Sequence, residues 1–73
     1  MNVEGTVVSA PSGPGAWLLE TEDGARYALL SQDEALLREG QRVIVAGALR
    51  DDAVGFGMTG DPVLAVERWK PQG

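Results

Sequence analysis

Hydrophobic and polar residues alternate along most of the chain, in short runs separated by clusters of glycine and proline. Alternation with a period of two is typical of β-strands that turn one face toward a core. The runs that alternate, or that are rich in β-branched residues, span residues 3–9, 16–21, 25–30, 42–49 and 63–69. A further run at 54–58 carries three large apolar residues on one face and two glycines on the other, which predicts an additional short strand.

One segment departs from the β pattern. Residues 31–34 read Ser-Gln-Asp-Glu, which matches the capping box that begins many helices, with Ser31 as the N-cap. Gly40 suits the left-handed position that follows a helix. The sequence therefore predicts a two-turn helix over about residues 32–39, with Ala35, Leu36 or Leu37 buried.

The order of these elements is that of the OB-fold, a five-stranded Greek-key barrel. We therefore predict an all-β protein, a small OB-fold-like β-barrel of five to six strands with one short helix between strands 3 and 4. Residues 1–73 are expected to form a single domain. An SH3-like barrel is the alternative, although it would not normally place a capped helix in mid-chain.

The turn at residues 22–24 decides which side chains of the central hairpin face the core. A two-residue turn would leave neither face of the hairpin cleanly apolar. A three-residue loop with Gly24 in the left-handed region instead places Trp17, Leu19 and Tyr27 together on one face. We expect the two aromatic rings to point into the barrel.

The opposite face of this hairpin is where OB-folds usually bind their ligands. It is expected to expose a modest apolar strip with mixed charge, and Val63 is also expected to be exposed. Trp69 follows the alternation of its strand onto the outer face, where it is either an interface anchor or a ring folded over the open end of the barrel. The predicted binding residues are Leu18, Glu20, Arg26, Leu30 and Trp69.

Composition limits the chemistry. The chain has neither cysteine nor histidine, so disulfides, thiolate or imidazole metal sites, cysteine nucleophiles and histidine-based triads are all excluded. We expect no enzyme activity, no cofactor and no metal site. Eleven acidic residues against six basic ones give a net charge of −5, which disfavours nucleic acid because phosphate neutralisation dominates that affinity.

Several weaker patterns have ordinary structural explanations. Residues 55–60 match the dinucleotide fingerprint GxGxxG, but a strand rather than a helix is expected to follow them. Glu20 with Glu22, and the pair at residues 51–52, are interpreted as solvated acids. The three arginines Arg42, Arg50 and Arg68 either form a small anion site or act as solvent-exposed partners of nearby acids.

The first residues lack the basic and apolar regions of a secretory signal, and no apolar run approaches the about 18 residues of a membrane span. A cytoplasmic location without membrane contact is the expectation.

Short motifs of turn glycines and strand core residues recur along nearly the whole chain. They are Gly5-Thr6-Val7-Val8, Trp17-Leu18-Leu19, Asp23-Gly24, Tyr27-Ala28-Leu29, Leu37-Arg38-Glu39-Gly40-Gln41-Arg42-Val43, Val45-Ala46-Gly47 and Gly60-Asp61-Pro62-Val63-Leu64-Ala65-Val66. In this pattern the chain resembles small, uncharacterised bacterial OB-like domains. The resemblance implies a fold and transfers no functional residues.

Together these features predict a noncatalytic OB-like binding module for protein–protein interaction or self-association. The alternative is a domain that binds single-stranded nucleic acid, which the fold and Arg26 suggest.

Overall fold

The computed structural model describes residues 1–10, 16–50 and 62–72. These residues form five strands: β1 (Asn2–Ser9), β2 (Trp17–Glu20), β3 (Arg26–Leu30), β4 (Arg42–Arg50) and β5 (Val63–Pro71). The strands close into a barrel in the order β1-β2-β3-β5-β4. Every neighbouring pair is antiparallel except β3 and β5, which run parallel. The predicted fold class is confirmed in that the protein is all-β and its strands close into a five-stranded barrel.

The barrel interior is filled by alternate residues of all five strands. Fully buried leucine and valine side chains each stabilise the fold by about 1.5–3 kcal/mol relative to exposure, so this set supplies most of the hydrophobic driving force. One member, Leu36, comes from the connection between β3 and β4 rather than from a strand. The main core cluster consists of Val3, Val7, Leu19, Leu29, Leu36, Val43, Val45 and Leu64.

The hairpin of β2 and β3 has the predicted register. Leu19 lies opposite Tyr27 and Leu18 opposite Ala28, as the three-residue loop requires. Gly24 has a φ of 89°, in the left-handed region that the loop demands. The rings of Trp17 and Tyr27 pack against the main core cluster, which confirms that they face the barrel interior.

The predicted helix at 32–39 is wrong, and the described residues contain no α-helix. The chain makes a single turn instead, in which the amides of Leu36 and Leu37 both donate to the Asp33 carbonyl at 3.1 and 3.2 Å. Ser31 does cap the start of this segment, because its Oγ accepts the Asp33 amide at 3.1 Å, and Asp33 Oδ1 accepts the Ala35 amide in the same way at 3.0 Å. The capping hydrogen bond expected of Ser31 is therefore present, but it precedes a single turn and not a helix.

Gln41 explains why the turn does not continue. Its Nε2 donates to the carbonyl oxygens of Ala35 and Leu36 at 2.9 and 3.0 Å, so a side chain satisfies acceptors that a helix would satisfy with its own amides. So short a helix gains little from its own backbone, and contacts with the barrel therefore decide its conformation. Gly40 does adopt the predicted left-handed conformation, with a φ of 81°.

A β-bulge interrupts the pairing of β4 with β5. Ala46 lies opposite Arg68, but the next residue, Gly47, lies opposite Val66, so Glu67 is left without a partner in the ladder. An extra residue on one strand reverses which of its following side chains face inward. The bulge therefore turns Trp69 toward the interior, and the expectation that simple alternation places it on the outer face is wrong.

Some expectations fall on residues outside the described part of the chain. They are the strand at 54–58, the GxGxxG match at 55–60 and the acidic pair at 51–52.

Candidate functional site

The outer face of β2 and β3, where binding was expected, does not expose its apolar residues. Leu18 is only 2% exposed and Val63 only 5%, so the expected exposure of both residues is wrong. They form a second buried cluster with Ala10 and Ala28, and Leu30 packs half-buried against it. The parallel pairing of β3 with β5 sets Val63 beside Ala28, and Leu18 lies on the other side of Ala28, so an apolar row crosses three strands. Periodicity within single strands does not reveal that pairing.

Two other residues of the predicted site are solvent-exposed. Glu20 and Arg26 lie directly opposite each other in the register of the hairpin. Their participation in binding, like that of Leu18 and Leu30, stays a prediction.

Trp69 closes one end of the barrel. Its ring is half-buried against the main core cluster, and its indole Nε1 donates to Asp33 Oδ2 at 2.8 Å. This hydrogen bond, followed by the one from the Ala35 amide, lowers the pKa of the Asp33 carboxyl below its ordinary value. Trp69 thus joins β5 to the connection between β3 and β4.

A shallow groove of about 490 Å³ lies on the outer face of β1, β4 and β5. Two cross-strand rows of side chains form it, because Ile44 and Ala46 of β4 each lie between one residue of β1 and one of β5. One row is Asn2, Ala46 and Arg68, and the other is Glu4, Ile44 and Lys70. Trp69 completes the lining. We call this surface the β4 groove.

The β4 groove has an apolar floor and charged walls. Ile44 and Ala46 are half-buried along its centre. Arg68 and Lys70 line the β5 side, and neither makes a side-chain hydrogen bond or ion pair with the described residues. On the β1 side, Glu4 Oε2 accepts a hydrogen bond from Gln72 Nε2 at 2.9 Å. The groove thus combines a half-buried apolar centre with a positive wall and a negative wall.

Three described carboxyl groups have pKa values below their ordinary range because they accept hydrogen bonds. Hydrogen bonds from Thr21, Trp69 and Ser9 lower the pKa of Asp23, Asp33 and Glu39, respectively. A general acid at neutral pH needs a raised pKa instead. The lowered pKa of each group thus reflects the hydrogen bonds that its carboxylate accepts.

A family model of proteins of unknown function matches residues 4–72, from within β1 to just beyond β5. The chain belongs to the DUF5818 family. This agrees with the expectation of a small uncharacterised domain family. No curated protein and no solved structure matches the DUF5818 chain.

The three arginines of the DUF5818 domain do not form one site. Arg42 and Arg50 are the first and last residues of β4, about 26 Å apart at about 3.3 Å per residue. Arg42 pairs with Glu22 at 3.1 Å, and Arg68 lies in the β4 groove. The alternative interpretation, in which strand-end arginines are exposed partners of acids, fits Arg42.

Within the described part of the DUF5818 chain, we find neither a cluster of metal ligands nor a membrane-spanning helix. No group of three or more aspartate or glutamate side chains there is arranged to hold a metal ion. The same residues include no helix with the length and apolar character needed to cross a bilayer.

Sequence reasoning missed the β4 groove of the DUF5818 domain. The alternation of β1 and β4 does place Asn2, Glu4, Ile44 and Ala46 on outer faces, so half of the signal was present. The other half depends on the bulge at Glu67, which moves Arg68 and Lys70 to that face and turns Trp69 toward the core, although its ring still lines the groove.

Proposed function

We propose that this DUF5818 domain is a noncatalytic module that binds a protein chain, either a different protein or a second copy of itself, through the β4 groove. The observation that carries the proposal is the juxtaposition of the half-buried Ile44 and Ala46 with Arg68 and Lys70, which have no side-chain partners among the described residues. An apolar centre with a polar rim is the usual anatomy of a protein interface.

The dimensions of the groove support a small, reversible interface. It spans three strands, and interfaces of this extent belong to the class that buries less than about 1,200 Å². Binding to the outer face of a closed barrel leaves every strand paired, so the domain can dock without remodelling its sheet.

Single-stranded nucleic acid is favoured less. Domains that bind it stack bases on exposed aromatic rings within a basic groove. Trp17 and Tyr27 pack against the core, and Trp69 is engaged with Asp33. The wall formed by Glu4 and the net charge of −5 also oppose a polyanion.

Site-specific photo-crosslinking in cells tests the proposal. A photoreactive side chain replaces Asn2 at the rim of the β4 groove in one variant and Arg26 on the outer face of β2 and β3 in another. We expect a discrete protein adduct from position 2 and none from position 26. The adduct should disappear when R68E and K70E are added, because the positive wall is then reversed, and should persist with the control R38E, which reverses one positive charge outside the groove.

Two results would count against the proposal. An adduct formed only from position 26 assigns binding to the originally expected face. If neither position forms an adduct, while a single-stranded oligonucleotide at low salt changes the fluorescence of Trp17 and Trp69, nucleic acid becomes the favoured ligand.

A further inference from the structure

The charges of the β4 groove are self-complementary, with an acid on one side of the groove and bases on the other. The β1 side presents Glu4, the centre presents Ile44, and the β5 side presents Lys70, all in one row. The second row repeats the order with Asn2 and Arg68 at its ends, without a second acid. The polarity thus runs from negative or neutral on one side to positive on the other.

From this arrangement we infer that the occupant of the β4 groove is a second copy of the chain, related by a two-fold axis parallel to β4. The inference rests on the proposed function and specifies its partner. Such an axis lays β1 of each copy over β5 of the other and keeps every residue at its own level along the strands. Glu4 then faces Lys70 of the second copy, and Ile44 faces Ile44.

Two different two-fold axes can stack these faces, one parallel to β4 and one across the strands, and the charges favour the first. A two-fold axis across the strands would lay β5 over β5 and bring Arg68 against Lys70 of the second copy. Like charges in contact across an interface are strongly unfavourable. The positive wall therefore selects the axis parallel to β4, and the acid on β1 supplies its counter-charge.

The spacing of the strands explains why these charges do not neutralise each other within one chain. Neighbouring strands lie about 4.8 Å apart, so Glu4 and Lys70 are separated by about 10 Å across β4. Strand side chains stand roughly perpendicular to their sheet, so within one chain these two side chains project side by side. Two facing sheets also stack at about 10 Å, and there an extended lysine and an extended glutamate point toward each other across the gap. The geometry therefore favours the pairing between copies.

Gln72 prepares Glu4 for this role. Its amide Nε2 donates to one carboxylate oxygen of Glu4 at 2.9 Å, which restricts the side chain to the groove wall. A side chain that is already restricted loses less conformational freedom on binding. Isologous symmetry uses this contact twice in each dimer.

Charge exchange tests the inference. We expect sedimentation velocity to show a concentration-dependent monomer–dimer equilibrium for the wild-type chain. The variants E4K and K70E, each alone, should dimerise at least about tenfold more weakly, because like charges then meet across the axis. An equimolar mixture of the two should form a heterodimer, since one contact then joins the lysine introduced at position 4 to the glutamate introduced at position 70, and the other keeps the native pair of Lys70 and Glu4.

Controls separate folding and general charge effects from the specific pairing. The double variant E4K/K70E should regain self-association, and R38E should stay within about twofold of the wild type, as expected for a surface change away from the interface. Recovery in the mixture also shows that both single variants are folded.

The outcomes distinguish this inference from the broader function. A wild-type chain that stays monomeric at high concentration, single variants that dimerise as the wild type does, or a mixture without heterodimer each overturns the two-fold arrangement. If the wild type is monomeric but position 2 still forms an adduct with a different protein, the groove keeps its binding role and only the self-association is wrong.

Discussion

At the residue scale, Gly47 has a role that no other residue type can fill. A Cβ at this position would overlap the Ala65 carbonyl oxygen of β5. The close approach occurs where the pairing of β4 and β5 shifts, and that shift directs Trp69 inward and Lys70 outward. The absence of one side chain thus fixes both the closure of the barrel and the composition of the β4 groove.

The variant G47A should therefore lose stability through backbone displacement rather than through lost burial. We expect a decrease of about 1–3 kcal/mol in the free energy of unfolding, measured by urea denaturation. The control A48V adds volume to an exposed neighbouring position and should change that free energy by less than about 0.5 kcal/mol. Equal stability of G47A and the wild type would contradict the close approach.

At the element scale, the connection between β3 and β4 packs against the barrel where a helix was predicted. Leu36 enters the main core cluster, Glu39 accepts hydrogen bonds from the Ser9 amide and hydroxyl, and Asp33 accepts one from Trp69. The connection is therefore joined to β1 and β5 by side chains, although its backbone forms only a turn.

The two adjacent leucines of this connection should respond differently to truncation. Leu36 is fully buried and Leu37 only half-buried. We expect L36A to lower the free energy of unfolding by about 2–5 kcal/mol, and L37A to lower it by less than half as much. Denaturant titration of both variants measures the difference, and a larger loss for L37A would mean that the connection packs the other way round.

The bond between Trp69 and Asp33 predicts a dependence of stability on pH. Its effect is to lower the pKa of Asp33 in the folded state below the ordinary value of 3.8. The carboxylate therefore stabilises the fold at pH values above 3.8, and that contribution is lost as the pH falls through the folded-state pKa. The difference in melting temperature between wild type and D33N should be largest near neutral pH and should shrink in acid.

The variant W69F provides the matched comparison for that bond, because it removes the indole donor and keeps an aromatic ring. W69F should also weaken the dependence on acid, and combining it with D33N should produce less than the sum of the two separate effects. Fully additive effects at neutral pH would show that the two side chains are not coupled.

The elements also show how far sequence reasoning reaches. The register of β2 and β3 was predictable because only one loop length makes both faces of the hairpin consistent. The absence of the helix was not predictable, because it depends on the hydrogen bond from Gln41 and on the packing of Leu36 in the core. Neither contact is visible in the local sequence pattern. The prediction that Trp69 points outward was wrong because a bulge in β5 reverses which of the following side chains face the core. No clear pattern in the sequence of β5 marks that bulge.

At the scale of the whole molecule, barrel closure separates two outer surfaces. The outer face of β2 and β3 contributes Leu18 and Ala28 to a second buried cluster. The outer face of β1, β4 and β5 keeps its apolar floor half-exposed between opposite charges. The β4 groove cannot be predicted from one strand at a time, because it is created by the pairing of the first, fourth and fifth strands.

The most direct test of this account is a dilution series followed by ¹H–¹⁵N correlation spectra of the wild-type chain. We expect amide shifts that depend on protein concentration to be concentrated at Glu4, Ile44, Ala46, Arg68 and Lys70, the residues of the β4 groove. Concentration-dependent shifts confined to Leu18, Ala28 and neighbouring residues of β2 and β3, or spectra identical at all concentrations, would contradict it.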